Sequence, residues 1–541
     1  MGFMLLWFEH LLVGLALAAF GLALAARTRS TVLRWCLIFT LLVAPLLATV
    51  GLAVAETWLH WRLQVELGLR NAALVTALAL ITGVTFIAAR GLRRNEFGEL
   101  PARSWPLSNL TLGLIVTGLL YSLTFWNLDL AARQRMDALR QEAGTLALSV
   151  APPRAPDREN AALQYQQLFD SGILSPKPPA YEGWLRGILD EGAEFDPQAP
   201  ELVAYVQRHA PLLARFREAT QLPSCSFVRD WSRIDVSMLL AETQHAREAA
   251  RELALEARVV AARGDLFLAF ADLAAIHRLA DHVGQEPLYV SQLVAIALDA
   301  IADRNLEWLL QHHRVAANDL APLDSWQPLS LLPRRQRAAL AEEALGLAVM
   351  SELAGGSMHG GSLEPLGLSH WDEDFNSIYR VFLSTADMQA YRRYMRETQA
   401  LAHRPYADRM KAYDQMEQSL KSRPGGILTS LLVPAHRQFD EAVARAEARQ
   451  RLAYLALAAH RYRLQVGAGT QFPADLDQLV QTGLAYLPTD PFNGAPLKQL
   501  KRGDEWVLYS VGPNQQDDGG AKFVPETRAG DIIFVLKLPP P

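Results

Sequence analysis

Five side chains able to bind a metal or move a proton, His359, His370, Asp372, Glu373 and Asp374, share one glycine-rich stretch, AGGSMHGGSLEPLGLSHWDEDF. A zinc-type site needs three or four such groups converging at fixed distances. Their spacing fits no ligand motif, and a glycine-rich loop preorganises its groups poorly, so a mobile surface loop is expected. Cys225, in LPSCSF, is followed by Arg229, Asp230 and Arg233. Nearby cations can lower a thiol's pKa toward that of a nucleophile, but no His is adjacent in sequence, and a buried structural cysteine is the expectation. His312-His313 closes a helix, where imidazoles meet the negative end of the helix dipole. His245, His277 and His282 fall on helices and are each expected to be satisfied or exposed. The G-x-S-x-G, H-E-x-x-H, Walker A and G-x-G-x-x-G patterns are absent. A catalytic triad assembles in space, so this absence does not exclude an enzyme.

The elements that would position such groups begin with composition. The chain has 541 residues, a net charge of −5 and a pI near 6.3. No basic domain stands out, which argues against a nucleic-acid partner. Only two cysteines occur, Cys36 in an apolar stretch and Cys225 far from it, so neither an intrachain disulfide nor a cysteine-ligated zinc cluster is expected. The mean hydropathy of +0.05 averages an apolar first quarter and a polar remainder.

Residues 1–128 read as a four-span transmembrane domain, with apolar stretches at 5–26, 35–55, 72–89 and 107–128. A helix of about twenty residues covers a bilayer core of roughly 30 Å. Arg27, Arg29 and Arg34 in the first loop, and Arg90, Arg93, Arg94 and Arg103 in the third, outweigh Arg62 and Arg70 in the second, which Glu56 and Glu66 offset. By the positive-inside rule the first and third loops are cytoplasmic. A multi-pass protein of the cytoplasmic (inner) membrane follows, in contact with membrane lipid, with its N-terminus and residues 129–541 extracytoplasmic. Ala23-Leu24-Ala25 offers a signal-peptide alternative for the first span. Glu9 and His10 are read as interfacial, and so few buried polar groups suit an anchor rather than a transporter.

Beyond Asp129 the pattern is mainly α. The stretch 129–150 carries apolar residues at helical spacing and continues the fourth span. Asp157 to Asn160 can cap a new helix, and Gly264-Asp265 and Gly284-Gln285-Glu286-Pro287 separate three alanine-rich helices within 197–314. Close packing of such helices resembles a tetratricopeptide array loosely, without a clean 34-residue recurrence. Residues 129–436 are thus expected to be a helical extracytoplasmic region, and 437–541 a small α+β module. In the module a long amphipathic helix feeds short strands at Trp506–Val511 and Asp531–Leu536. Tyr454, Leu457, Tyr462 and Leu464 are expected to cover Trp506, Leu508, Ile533 and Val535.

The module also carries a resemblance. Its helix ends in AHRYRLQVGAGTQFPADLDQLV, followed by Leu487-Pro488-Thr489-Asp490-Pro491-Phe492-Asn493-Gly494, by Tyr509-Ser510-Val511-Gly512-Pro513-Asn514, and by Gly519-Gly520 and Asp531-Ile532. In this order residues 451–534 resemble the C-terminal domain of the major pseudopilin of type II secretion systems. Taken whole, the chain is similar to large bacterial envelope proteins of unassigned role. The resemblance implies calcium in the last loop, held by Asn514, Asp517, Asp518 and Asp531 with backbone carbonyls near Tyr509 or Ser510. Hard oxygen ligands suit that ion, although Asn514 stands where the family has Asp. No prepilin-type membrane helix adjoins the module, so an assembled pilus subunit is not expected.

Three functions follow as expectations. The first is a non-enzymatic scaffold or interaction protein of the bacterial envelope, meeting other envelope proteins and no nucleic acid. The second is an envelope hydrolase with its site between the helical region and the terminal module. The third is a component of a secretion machinery.

Overall fold

The computed structural model describes residues 105–173, 177–189, 195–235, 241–328, 331–355, 379–422, 426–467, 471–481, 484 and 486–537. The chain divides into two compact units, 1–140 with 349–388, and 141–348 with 389–541. Its described helices are α1 (Trp105–Val150), α2 (Ala161–Leu168), α3 (Tyr181–Leu189), α4 (Pro200–Ala219), α5 (Ala241–Ala262), α6 (Leu266–Val283), α7 (Tyr289–His312), α8 (Leu331–Gly355), α9 (Ser384–Ala400), α10 (Tyr406–Ser422), α11 (Ile427–Gln465) and α12 (Asp477–Gln481). Strands β1 (Lys498–Arg502), β2 (Glu505–Ser510) and β3 (Ile532–Lys537) form one antiparallel sheet in that order. The fold is mainly helical with a small sheet at its C-terminal end.

The four-span anchor and the multi-pass inner-membrane location are corrected. The stretches 5–26, 35–55 and 72–89 lie outside the described residues. The fourth, 107–128, falls in α1, and among the described residues no helix is long and apolar enough to cross a membrane. The helix that carries this stretch runs on unbroken through the charged residues from Asp129 to Val150. The assignment of residues 129–541 to the outside needed 107–128 as its last span and is withdrawn with it.

In the first unit, Asp129 accepts from Arg133 at 2.7 Å and from Arg380 at 2.7 Å, so one carboxylate ties two segments far apart in sequence.

The second unit is built on three consecutive helices. Gly264, at φ +91°, turns the chain between α5 and α6 in a conformation costly for any side chain. Asp265 then caps α6 by accepting the Leu268 N–H at 3.0 Å. Asn160 caps α2 through Ala162 N–H in the same way. Ala249, Ala250, Ala254, Ala269 and Ala275 are fully buried, and their small size lets α5, α6 and α7 approach closely. Two polar knots are buried with them. Glu252 of α5 accepts from Tyr181 of α3 at 2.7 Å and Tyr205 of α4 at 2.9 Å. Arg217 of α4 lies between Glu256 and Asp272.

Helix α11 packs against α7 and against β2 and β3. Tyr289 stacks on Phe439 at 3.8 Å, and its hydroxyl donates to His436 Nδ1 at 2.8 Å. In β3, Ile532, Phe534 and Leu536 are buried while Ile533, Val535 and Lys537 are half-buried. The expected placement of Ile533 and Val535 on the covered face is therefore shifted by one residue, which in a strand exchanges the faces. Asp490 holds the turn chemistry of the module together. It is buried and accepts from Phe492 N–H at 2.9 Å, Ser510 Oγ–H at 3.0 Å and Val511 N–H at 2.8 Å.

Candidate functional site

The terminal loop brings Asn514, Asp517, Asp518 and Asp531 together, but through hydrogen bonds of its own. Asp518 Oδ2 accepts from Asn514 Nδ2 and from Gly530 N–H, both at 2.8 Å. Asp531 accepts the Gly520 N–H at 2.7 Å and the Asp518 N–H at 3.3 Å. Asp517 pairs with Lys498 at 2.5 Å and accepts the Gly519 N–H at 3.1 Å. Donors thus face the oxygens that a cation would use. Among the described residues no group of three or more His, Cys, Asp or Glu is placed to hold a metal ion.

The glycine-rich stretch with His359, His370, Asp372, Glu373 and Asp374 lies outside the described residues. Cys225 is buried, its N–H donates to Gln285 at 3.0 Å, and burial pushes its thiol pKa up, away from a reactive thiolate. His282 is satisfied at both nitrogens, by the Tyr165 hydroxyl at 2.7 Å and the Leu222 carbonyl at 2.9 Å. His245 packs on Phe169. His312 bonds the Trp308 carbonyl at 2.9 Å, as a residue at a helix end can.

His277 departs from its expectation. Its Nδ1 lies 2.9 Å from Asp299 Oδ1, and its Nε2 has no hydrogen-bond partner. Nε2 points toward Asp303, whose Oδ1 is 3.8 Å away, too far for a hydrogen bond. Trp326 lies against the ring, with centroids 4.6 Å apart. Asp299 is held from its other side by Gln450 Nε2 at 2.7 Å.

Asp303 stands in front of this pair, at the wall of a cavity of about 720 Å³. The cavity lies among α7, α11 and β3. Asp299, Asp303 and Glu307 all line it, because positions four apart on α7 share one face. Ile533, Val535 and Lys537 of β3 supply part of the opposite side. The strand is fixed to α7 through its backbone: Val535 N–H donates to Glu307 at 2.6 Å and Val535 C=O accepts from Gln311 at 2.7 Å. Asp303 is 1 % exposed, and neither of its oxygens has a hydrogen-bond partner. Burial pushes its pKa up to about 7; His277 and Arg449 oppose that shift and Asp299 adds to it. A carboxyl group that titrates near neutrality can both give and take a proton at neutral pH.

Arg258 of α5 enters the same cavity from another wall and is 4 % exposed. Its guanidinium lies over Trp308 at 4.3 Å and near Phe195 at 5.3 Å. Nε donates to Asn305 Oδ1 at 2.7 Å and Nη1 to the Gly187 carbonyl at 3.1 Å. Gly187 allows this approach, since a Cβ there would meet the Phe195 ring at 2.5 Å. Both acceptors are neutral. Burial pushes the Arg258 pKa down to about 9, and Arg304 adds to the shift.

The sequence does contain a trace of this site. Asp299, Asp303 and Glu307 form an acidic stripe at four-residue spacing on a mainly apolar helix, a pattern that ordinary solvated helix faces also show. What the sequence could not give is the approach of His277, Arg258 and β3 to that stripe, because tertiary packing alone brings them there. No protein-family model, curated protein or solved structure matches this chain.

Proposed function

We propose that this chain is a hydrolase whose site lies between the helical region and the terminal module. The observation that carries the reading is Asp303, a buried carboxyl without hydrogen-bond partners, set in the wall of a cavity and backed by the His277–Asp299 pair. Buried polar groups are normally satisfied, and one left open beside a cavity is a candidate for function. In the proposed reaction protonated Asp303 gives its proton to the leaving oxygen as the bond to that oxygen breaks. A water adds to the electrophilic atom, and its proton returns to the Asp303 carboxylate. His277, oriented by Asp299, stands behind Asp303 and acts on it through its charge.

The full chain incubated with chromogenic carboxylic esters, phosphate esters and glycosides tests this. Turnover of one class is expected, falling by about 10²–10⁴-fold in Asp303→Asn. Equal turnover by the variant, or none by the wild type on any class, would count against it. A non-enzymatic interaction protein using the same cavity would bind a ligand and release it unchanged.

A further inference from the structure

Resting on the hydrolytic reading, we propose that the cavity selects molecules carrying an oxyanion, a phosphate or carboxylate group, and that Arg258 is the residue that binds it. An arginine 4 % exposed is costly to keep charged unless an anion faces it. Arg217 of α4, half-buried, shows the contrast, since it lies between the carboxylates of Glu256 and Asp272. Arg258 has no carboxylate partner among the described residues, only the amide oxygen of Asn305 and the carbonyl of Gly187.

Its geometry is that of a preformed receptor. Asn305 is itself fixed by donating to the Ile301 carbonyl at 2.8 Å, so Nε is held by a rigid acceptor. Trp308 and Phe195 fix the plane of the guanidinium. Nη2 makes no hydrogen bond among the described residues, and Arg258 lines the cavity. A guanidinium recognises planar or tetrahedral oxyanions through directed N–H donors, and little ordering remains to be done when the group is already held. Asp303 and Arg258 line the same cavity, so a molecule anchored at the arginine brings one of its bonds within reach of the acid. Arg258 is in this sense a specificity residue, and Asp303 the group that handles the proton.

The test is melting of the full chain with inorganic phosphate, with acetate, and with chloride at matched ionic strength. Wild type, Arg258→Gln, Arg258→Lys and Asp303→Asn are compared. The wild type is expected to melt higher with phosphate or acetate than with chloride, and whichever oxyanion protects names the substrate group. The apparent affinity should fall at least tenfold in Arg258→Gln and less in Arg258→Lys, which keeps the charge without the fork. Asp303→Asn should keep the protection. No protection of the wild type by either oxyanion, or equal protection of Arg258→Gln, overturns the proposal. Because Arg258→Lys retains a buried cation, it reports on the site even if Arg258→Gln folds poorly. Arg258-dependent protection with no turnover of any ester class would remove the hydrolytic reading and leave the oxyanion site standing.

Discussion

Gln450 of α11 donates to Asp299 of α7 at 2.7 Å, and the same carboxylate holds His277 from its other oxygen. The long helix of the terminal module therefore sets the orientation of an imidazole carried by the helical region. Gln450→Leu should leave the fold in place and loosen that orientation. If the hydrolytic reading holds, kcat should fall about tenfold with little change in KM, because orientation rather than binding is lost. Steady-state kinetics on whichever substrate is turned over would show this split.

Asp303 makes stability depend on pH in a direction opposite to most carboxylates. Its pKa is raised from 3.8 to about 7 on folding. The folded chain therefore holds a proton that the unfolded chain has lost between those values. The contribution is whole below the unfolded pKa and is lost as pH rises through the folded one. Asp303→Asn cannot ionise, so its stability relative to wild type should improve steadily from about pH 4 to about pH 8. Urea unfolding at several pH values reads the difference; a constant offset would mean that Asp303 titrates normally.

His436 acts on the acid side. Burial lowers its pKa from 6.5 to about 3. Its contribution to stability is present above the unfolded value and is lost as pH falls toward the folded one, since the unfolded chain takes up the proton first. His436→Gln retains an acceptor for the Tyr289 hydroxyl and removes the titration. Its melting temperature should change less than that of the wild type between pH 7 and pH 4, and parallel curves would contradict the assignment.

Asp490 should be the most costly single truncation in the module. Asp490→Ala strands three buried or half-buried donors, on Phe492, Ser510 and Val511. A loss of about 3 kcal/mol is expected, given roughly 1–3 kcal/mol for leaving even one buried partner unsatisfied. Chemical denaturation measures it, and a loss below about 1 kcal/mol would show that water replaces the carboxylate.

Calcium is tested on the full chain by melting with the ion in millimolar amounts and with chelator. The loop as hydrogen-bonded, with Asp518 and Asp531 accepting N–H groups, predicts an unchanged melting temperature. A rise abolished by Asp517→Ala with Asp531→Ala would establish the ligand set that the pseudopilin resemblance implies.

Local signals in the sequence translated well where one residue decides the backbone. Asp265 after Gly264 announces the start of α6, and Asn160 announces α2, because capping is a contact between near neighbours. Strand β1, KQLKR, escaped because its charges mask any alternation, and it is a strand only by pairing with β2. The phase of β3 was misplaced because both of its faces carry apolar residues, so the alternation alone does not say which face is covered. The cavity could not be read at all. Its groups come from Gly187 to Lys537, and nothing local links His277 to Asp303 or Arg258 to Asn305.

The bonds from Glu307 and Gln311 to Val535 have a consequence beyond placing β3. A strand at the flank of a sheet offers unpaired N–H and C=O groups on which another chain can build. Here the outward N–H and C=O at the middle of β3 are already taken by two side chains one helical turn apart, which stand in for a fourth strand. At the opposite flank, β1 meets any incoming strand with Lys498, Lys501 and Arg502. The sheet thus meets an incoming strand with mimicry at the middle of one margin and with charge along the other.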